Sequence, residues 1–321
     1  MFNLSGENPL TKQSEATVKR ICLFAGFSPK QKIENYVLFY LKALSGIADV
    51  YYCADNDLPE SEISKISGVV KGVFTGKHSK YDFGSWGKII DSLGWDFIET
   101  YDELILANDS CFGPLFPLQP IFEKMESLDC DAWGLAKNKF IMSFFLCVKR
   151  TVFADAAFRS FFKELTPSQD KNYFVQCEKR LSGILSAHKT AAFLEKKNIK
   201  SLYKKNKSEI KSAFRKIIPL KMRLFMRMRT NKIRLYDNEA LFLPFFGFPF
   251  LKKNAFFTMG SVVPLVGLDF VKRFTDYDPN LISAVVKEHG FEKPSFWKYL
   301  SVRLNAAFVQ NKRHLIGKKQ L

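Results

Sequence analysis

A chain of 321 residues that is 47% hydrophobic is long enough for one large domain or for two, and apolar enough for a sizeable core, which excludes global disorder. Its six cysteines, at 22, 53, 111, 130, 147 and 177, include no CxxC and no Cys/His cluster, so neither a zinc site nor a disulfide framework is indicated. The net charge of +17 is concentrated, because residues 196–234 hold fifteen Lys or Arg against one acid, Glu209. That distribution speaks for one basic surface element and against a uniformly basic nucleic-acid coat.

The opening residues, MFNLSGENPLTKQSE, lack the basic-then-apolar layout of a signal peptide. The longest apolar stretches, near 140–148 and 240–251, fall short of the ~20 residues that a membrane span needs. Together they predict a reducing, cytoplasmic protein without a span, with residues 1–18 as a tail.

Residues 19–27, KRICLFAGF, predict a buried strand ending in glycine, and IENYVLFYLKALSGI carries Ile33, Val37, Leu38, Leu41 and Leu44 at amphipathic-helix spacing. DVYYCADND is then a second strand that finishes in Asp55 and Asp57. Strand, helix and strand in this order build a parallel sheet with right-handed crossovers. A short third strand, GVVKGVFTG, precedes a glycine-and-aromatic loop, YDFGSW, and a helix, WGKIIDSLGW. CDAWGLAKN and FIMSFFLCV read as strands, VFADAAFRSFF as a helix with one aromatic face, and 172–187 as a helix with Glu178 early in it. Residues 193–203 read as a last short strand region. Beyond them, 210–234 resemble a basic amphipathic helix that Pro219 should break, ALFLPFFGFPFLKK is too rich in Pro and Gly for a helix, and LISAVVKEHG and FWKYLSVRLNAAFVQNK predict two more helices.

The segment that carries chemistry is DELILANDSCFGPLFP. Leu104 to Ala107 show no polar alternation, as in a central strand covered on both faces, and Asn108-Asp109-Ser110 end it abruptly. Ligands of open α/β sheets bind outside the carboxyl ends of the strands, so these residues either meet a phosphate-bearing ligand or cap the next helix.

YDFGSW, YDELILANDSCFGPLFPL, DAWGL and the MSFFLCVKR segment, in this order, resemble the rhamnan synthesis protein F family of bacterial glycosyltransferases. The resemblance covers about residues 19–205 and fades afterwards, where only FPFLKK is shared. It implies a GT-A-like nucleotide-binding α/β fold, a mixed sheet flanked by helices, at 19–205, followed by a basic, mostly helical C-terminal region at 206–321. It also implies transfer of a sugar from a nucleotide-activated donor, typically dTDP-rhamnose, to a polysaccharide, a lipopolysaccharide or another lipid-linked glycan.

In that frame the donor lies at Ala25, Gly26, Asp55, Tyr81, Asp82, Phe83, Gly84, Trp86, Asn108, Asp109 and Ser110. Asp109 contacts the diphosphate directly or through a Mg or Mn ion. Glu178 is the candidate general base for an inverting transfer. Trp133, Gly134 and Ser143 would shape the sugar or acceptor pocket. Each has a structural alternative: Asp55 as a turn aspartate, YDFGSW as a helix start capped by Asp82 or Ser85, Glu178 as an exposed helix residue and Trp133 as core. Residues 196–234 suit the anionic inner face of a membrane, and no nucleic-acid motif accompanies them. The chain departs from the family pattern at Gly76-Lys77-His78, where an Arg-Asn pair is common, and at Gly26, where a histidine is. A noncatalytic membrane-associated scaffold of the same fold is the rival reading.

Overall fold

The computed structural model describes residues 18–168, 170–220, 223, 229–290, 295, 297 and 299–302. The expected tail, the middle of the basic 210–234 segment and most of FWKYLSVRLNAAFVQNK lie outside the described residues.

Arg20–Gly26 forms β1, the third strand of a seven-stranded sheet, and its side chains leave it alternately to two apolar layers. Cys22 and Phe24 join one layer, Ile21, Leu23 and Ala25 the other, and all five are fully buried. A strand covered on both faces has no polar side to show, which is why its sequence does not alternate. Burial of side chains such as Leu23 and Phe24 contributes about 1.5–3 kcal/mol each.

Helix α1 (Asn35–Ser45) leads to β2 (Asp49–Ala54), then α2 (Glu60–Ile63) to β3 (Gly72–Phe74). Helices α3 (Tyr81–Leu93) and α4 (Trp95–Ile98) precede β4 (Glu103–Asn108), which enters beside β1. Strands β5 (Cys111–Phe112), β6 (Ala132–Lys137), β7 (Phe145–Lys149) and β8 (Thr190–Glu195) follow, with α5 (Gln119–Glu126) after β5 and α6 (Arg150–Phe153), α7 (Ala156–Lys163) and α8 (Lys171–Leu185) between β7 and β8. The order is β3-β2-β1-β4-β7-β6-β8. β1 to β4 run parallel, β7 is antiparallel to both its neighbours, and β6 and β8 are parallel. This is the mixed, helix-flanked α/β sheet that the family resemblance implied.

Three expectations change. YDFGSW is no loop: it forms the first turns of α3, and Lys80 rather than Asp82 or Ser85 stands at its N-cap, with no side-chain cap bond. Phe83 and Trp86 there have a deep apolar layer to fill, which outweighs the turn preference of Gly84. Residues 193–203 are strand only to Glu195, because α9 (Lys196–Lys205) takes over where Ile199 turns into the core. Helix α10 (Lys207–Ile217) does end at Ile218, extended before Pro219, as the proline demands. Its apolar residues Ile210, Ala213 and Phe214 are buried, so that face is spent on the protein itself.

After α10 come a 3-10 helix (Asn238–Phe246), β9 (Leu251–Lys252), a second 3-10 turn (Lys253–Phe257), α11 (Val263–Phe274) and α12 (Pro279–Glu288). Leu241, Phe250 and Val271 belong to the same apolar layer as Phe24 and Tyr36. The consequential contact is β9 against β5, antiparallel, with Lys252 opposite Cys111. Among the described residues no helix is long and apolar enough to cross a membrane.

Candidate functional site

Parallel strands β1, β2 and β4 all end at one edge, and the polar residues expected there converge. The Asp109 amide donates to Ala25 O (3.1 Å) and the Asp55 amide to Gly26 O (3.1 Å), so the three strand ends are tied to one another. At Gly26 the Tyr52 ring lies over the backbone, and a Cβ there would stand 2.2 Å from its hydroxyl, so a larger residue would need the Tyr52 side chain to move.

Asn108 is 3% exposed and fixes its neighbours on both sides. Its Nδ2 donates to Asp82 Oδ2 (2.7 Å), and its Oδ1 accepts from the Ser110 hydroxyl (2.5 Å). Asp109 Oδ2 accepts from the Phe27 amide (3.2 Å), and Asp109 O accepts from the Tyr36 hydroxyl (2.9 Å). Asp82, in the first turn of α3, brings a second carboxylate to a tripeptide that supplies only one. Burial pushes the Asp82 carboxyl up to about 7, the charge of Asp109 adds to that, and Lys252 and the Asn108 amide oppose it.

Two cations also arrive here. Lys252 Nζ donates to Ser110 Oγ (2.6 Å) and lies 4.2 Å from the centre of the Phe144 ring. Lys253 Nζ donates to Tyr36 Oη (2.8 Å) and sits 3.6 Å from Asp109 Oδ2, while its amide donates to Ser110 O (2.9 Å). Sequence reading did not assign these lysines to the site. The available signal was FPFLKK, an aromatic run ending in two cations within a segment otherwise unlike its surroundings. Gly113 makes their approach possible: with φ at +139°, it gives room where a Cβ would meet Pro249 O at 2.5 Å. A cavity of about 330 Å³ opens beside Asp109 and Lys253, with Tyr36, Tyr52, Phe257 and His289 in its wall.

Other expected residues are placed differently. Phe83 and Trp86 are fully buried, Phe83 against Phe161 and Phe174, so they do not wall a ligand. Trp86 Nε1 donates to Ala107 O (2.9 Å), which fastens α3 to the end of β4. The space over Gly84 is filled by His78 and Lys80, not left for a nucleotide. Tyr81, at φ +56°, packs against Phe174. Asp55 Oδ1 accepts from the amides of His78 (2.6 Å) and Ser79 (3.0 Å), the turn-aspartate alternative. His78 Nε2 is 3.0 Å from Ser85 Oγ, and burial holds its imidazole below the usual range, with Asp55 opposing.

Trp133 is 2% exposed and packs on Phe122 and Phe145, and Gly134 lies under Ile141, so both belong to the core instead of a pocket. Ser143 and Glu178 do meet: the Ser143 hydroxyl donates to Glu178 Oε1 at 2.6 Å. Glu178 stands in the middle of α8, not early in it, and is partly buried.

A divalent cation bound here would have Asp82 and Asp109 as its carboxylates. These residues do not fit one. Asp82 Oδ2 is engaged by Asn108 and Asp109 Oδ2 by Phe27 and Lys253, and the Lys253 ammonium group competes for the carboxylate that a hard cation would share with phosphate and water oxygens.

Among solved structures, the glycosyltransferase GlyE of Streptococcus pneumoniae TIGR4 is 15% identical over 87% of this chain and 66% of its own, with a TM-score of 0.42. TarS of S. aureus, residues 1–349, is 10% identical over 86% and 93%, with a TM-score of 0.35. Core-mannan synthase A of Aspergillus fumigatus, in its Mn/GDP form, is 6% identical over 54% and 67%, at 0.27. No curated protein matches the chain. Residues 50–185, from within β2 to the end of α8 and so including Asp55, Asp82, Asp109 and Glu178, match the family model of rhamnan synthesis protein F, the family that the motifs of this segment resemble.

Proposed function

We propose that the protein is an inverting glycosyltransferase that moves a deoxyhexose, rhamnose, from dTDP-L-rhamnose to a saccharide hydroxyl of a membrane-linked glycan. The observation that carries this reading is the convergence of Asp82, Asn108, Asp109 and Ser110 at the carboxyl ends of three parallel strands, where open α/β sheets take their ligands, inside the segment that matches rhamnan synthesis protein F.

In the proposed reaction the Glu178 carboxylate removes the proton of the acceptor hydroxyl as that oxygen attacks the anomeric carbon. The pair of electrons in the bond from that carbon to the diphosphate leaves with the diphosphate, and inversion follows from attack on the opposite face. Ser143 orients the carboxylate through its 2.6 Å hydrogen bond. The exposed lysines of α9 and α10, among them Lys204, Lys205, Lys207 and Lys211, suit adsorption to anionic lipid, and since the apolar face of α10 is buried, this binding is electrostatic and without insertion.

A nucleotide-sugar screen tests the reading. The donor and its nucleoside diphosphate should raise the melting temperature, by an amount equivalent to about 2.7 kcal/mol at one hundred times Kd. Release of dTDP from dTDP-rhamnose should depend on acceptor. A protein stabilised by no nucleotide would instead be the noncatalytic scaffold.

A further inference from the structure

Lys252 is 8% exposed, yet among the described residues its ammonium group forms no ion pair. Its hydrogen-bond partner is the neutral Ser110 hydroxyl, and its stem lies along the Phe144 ring. A buried ammonium group with no carboxylate in direct contact is costly, and a ligand anion would offset that cost. Two neighbouring lysines are paired: Lys30 and Lys32 each lie 3.2 Å from a Glu288 carboxylate oxygen. Lys253 shares its ammonium between Tyr36 Oη and Asp109 and faces the cavity.

We infer that Lys252 and Lys253 are the diphosphate-binding groups of the donor site and do there what a divalent cation would otherwise do. This rests on the glycosyltransferase reading above. The backbone supports it, because pairing of β9 with β5 and the bond from the Lys253 amide to Ser110 O fix both lysines against Asn108-Asp109-Ser110. Chemistry supports it too. Two ammonium groups can neutralise a diphosphate, and as the bond between the anomeric carbon and the β-phosphate oxygen breaks, the electron pair stays on that oxygen where the ammonium groups meet the growing charge. A divalent cation in the same place would be repelled by both lysines and would have to displace Lys253 from Asp109. Asp109 therefore acts by holding Lys253, as a positioning residue.

The test is calorimetric titration of the full chain with dTDP, UDP and GDP, each in EDTA and in Mn²⁺, repeated on Lys252→Met, Lys253→Gln and Lys253→Arg. Melting curves check that each variant is folded. The expected result is a nucleoside diphosphate whose Kd in EDTA is within about threefold of that in Mn²⁺. Lys252→Met and Lys253→Gln should weaken it at least tenfold, and Lys253→Arg should restore most of the loss. If Lys252→Met does not fold, Lys253→Gln, whose parent side chain is 24% exposed, carries the test. Binding that needs Mn²⁺, or that both neutral variants retain, overturns the role of the lysines and leaves the donor site standing. No binding of any diphosphate to the unaltered protein in either condition overturns both.

Discussion

Asn108 at the end of β4 donates to the carboxylate of Asp82 in the first turn of α3, at 2.7 Å, and this bond joins two residues 26 positions apart into one polar site. It also gives the protein a pH dependence. Burial first, then the Asp109 charge, raise the Asp82 carboxyl from 3.8 in the unfolded chain to about 7. A group raised in this way contributes stability that is fully present below its unfolded pKa and is lost as pH rises through the folded one. Asp82→Asn should therefore gain on the parent protein between about pH 5 and pH 8, by on the order of 1–3 kcal/mol, because each tenfold change in proton affinity corresponds to about 1.4 kcal/mol. Urea unfolding across that range would show it, and parallel profiles for the two proteins would remove the assignment.

Glu178→Gln should keep the fold and donor binding while lowering kcat roughly 10²–10⁴-fold, the usual contribution of a general base. Ser143→Ala should cost less, about tenfold, since its hydroxyl donates to Glu178 Oε1. Unchanged turnover of folded Glu178→Gln with acceptor present would sink the proposed base.

Trp86 is fully buried and is the donor to Ala107 O. In Trp86→Phe that carbonyl loses its partner in a dry layer, so a loss of about 2–4 kcal/mol is expected from the unmade bond and the space left. Equilibrium urea unfolding measures it, and a change under about 1 kcal/mol would show that the carbonyl finds another donor.

Gly113→Ala asks an L side chain to adopt φ +139° with its Cβ at 2.5 Å from Pro249 O. We expect a loss of at least about 2 kcal/mol, and weaker diphosphate binding in whatever fraction still folds, because β9 carries the two lysines. Wild-type diphosphate affinity in a folded Gly113→Ala variant would detach the lysines from this backbone contact.

Lys204, Lys205, Lys207 and Lys211 are exposed on α9 and α10. Replacement of all four by Gln should weaken cosedimentation with vesicles containing phosphatidylserine by at least tenfold, at about 1 kcal/mol for each cation, and raised salt should do the same to the parent chain. Binding insensitive to both would point to a different membrane contact.

Much of the sheet was legible from the sequence because it rests on local signals. Unbroken apolar runs marked β1 and β4 as strands with two buried faces, the spacing of Val37, Leu41 and Leu44 marked α1, and Pro219 marked the end of α10. Asn108-Asp109-Ser110 could be placed at a strand end for the same reason, since a polar tripeptide cannot continue a buried strand. What surrounds it could not. Asp82, Phe83 and Trp86 were readable as a nucleotide wall or as a helix start, and Lys252 lies 142 positions from the serine it touches. Those placements depend on the pairing of β9 with β5 and on which face of α3 fills the apolar layer. Both are contacts between distant segments, decided by packing and by the need to partner buried polar groups, and local periodicity carries no record of them.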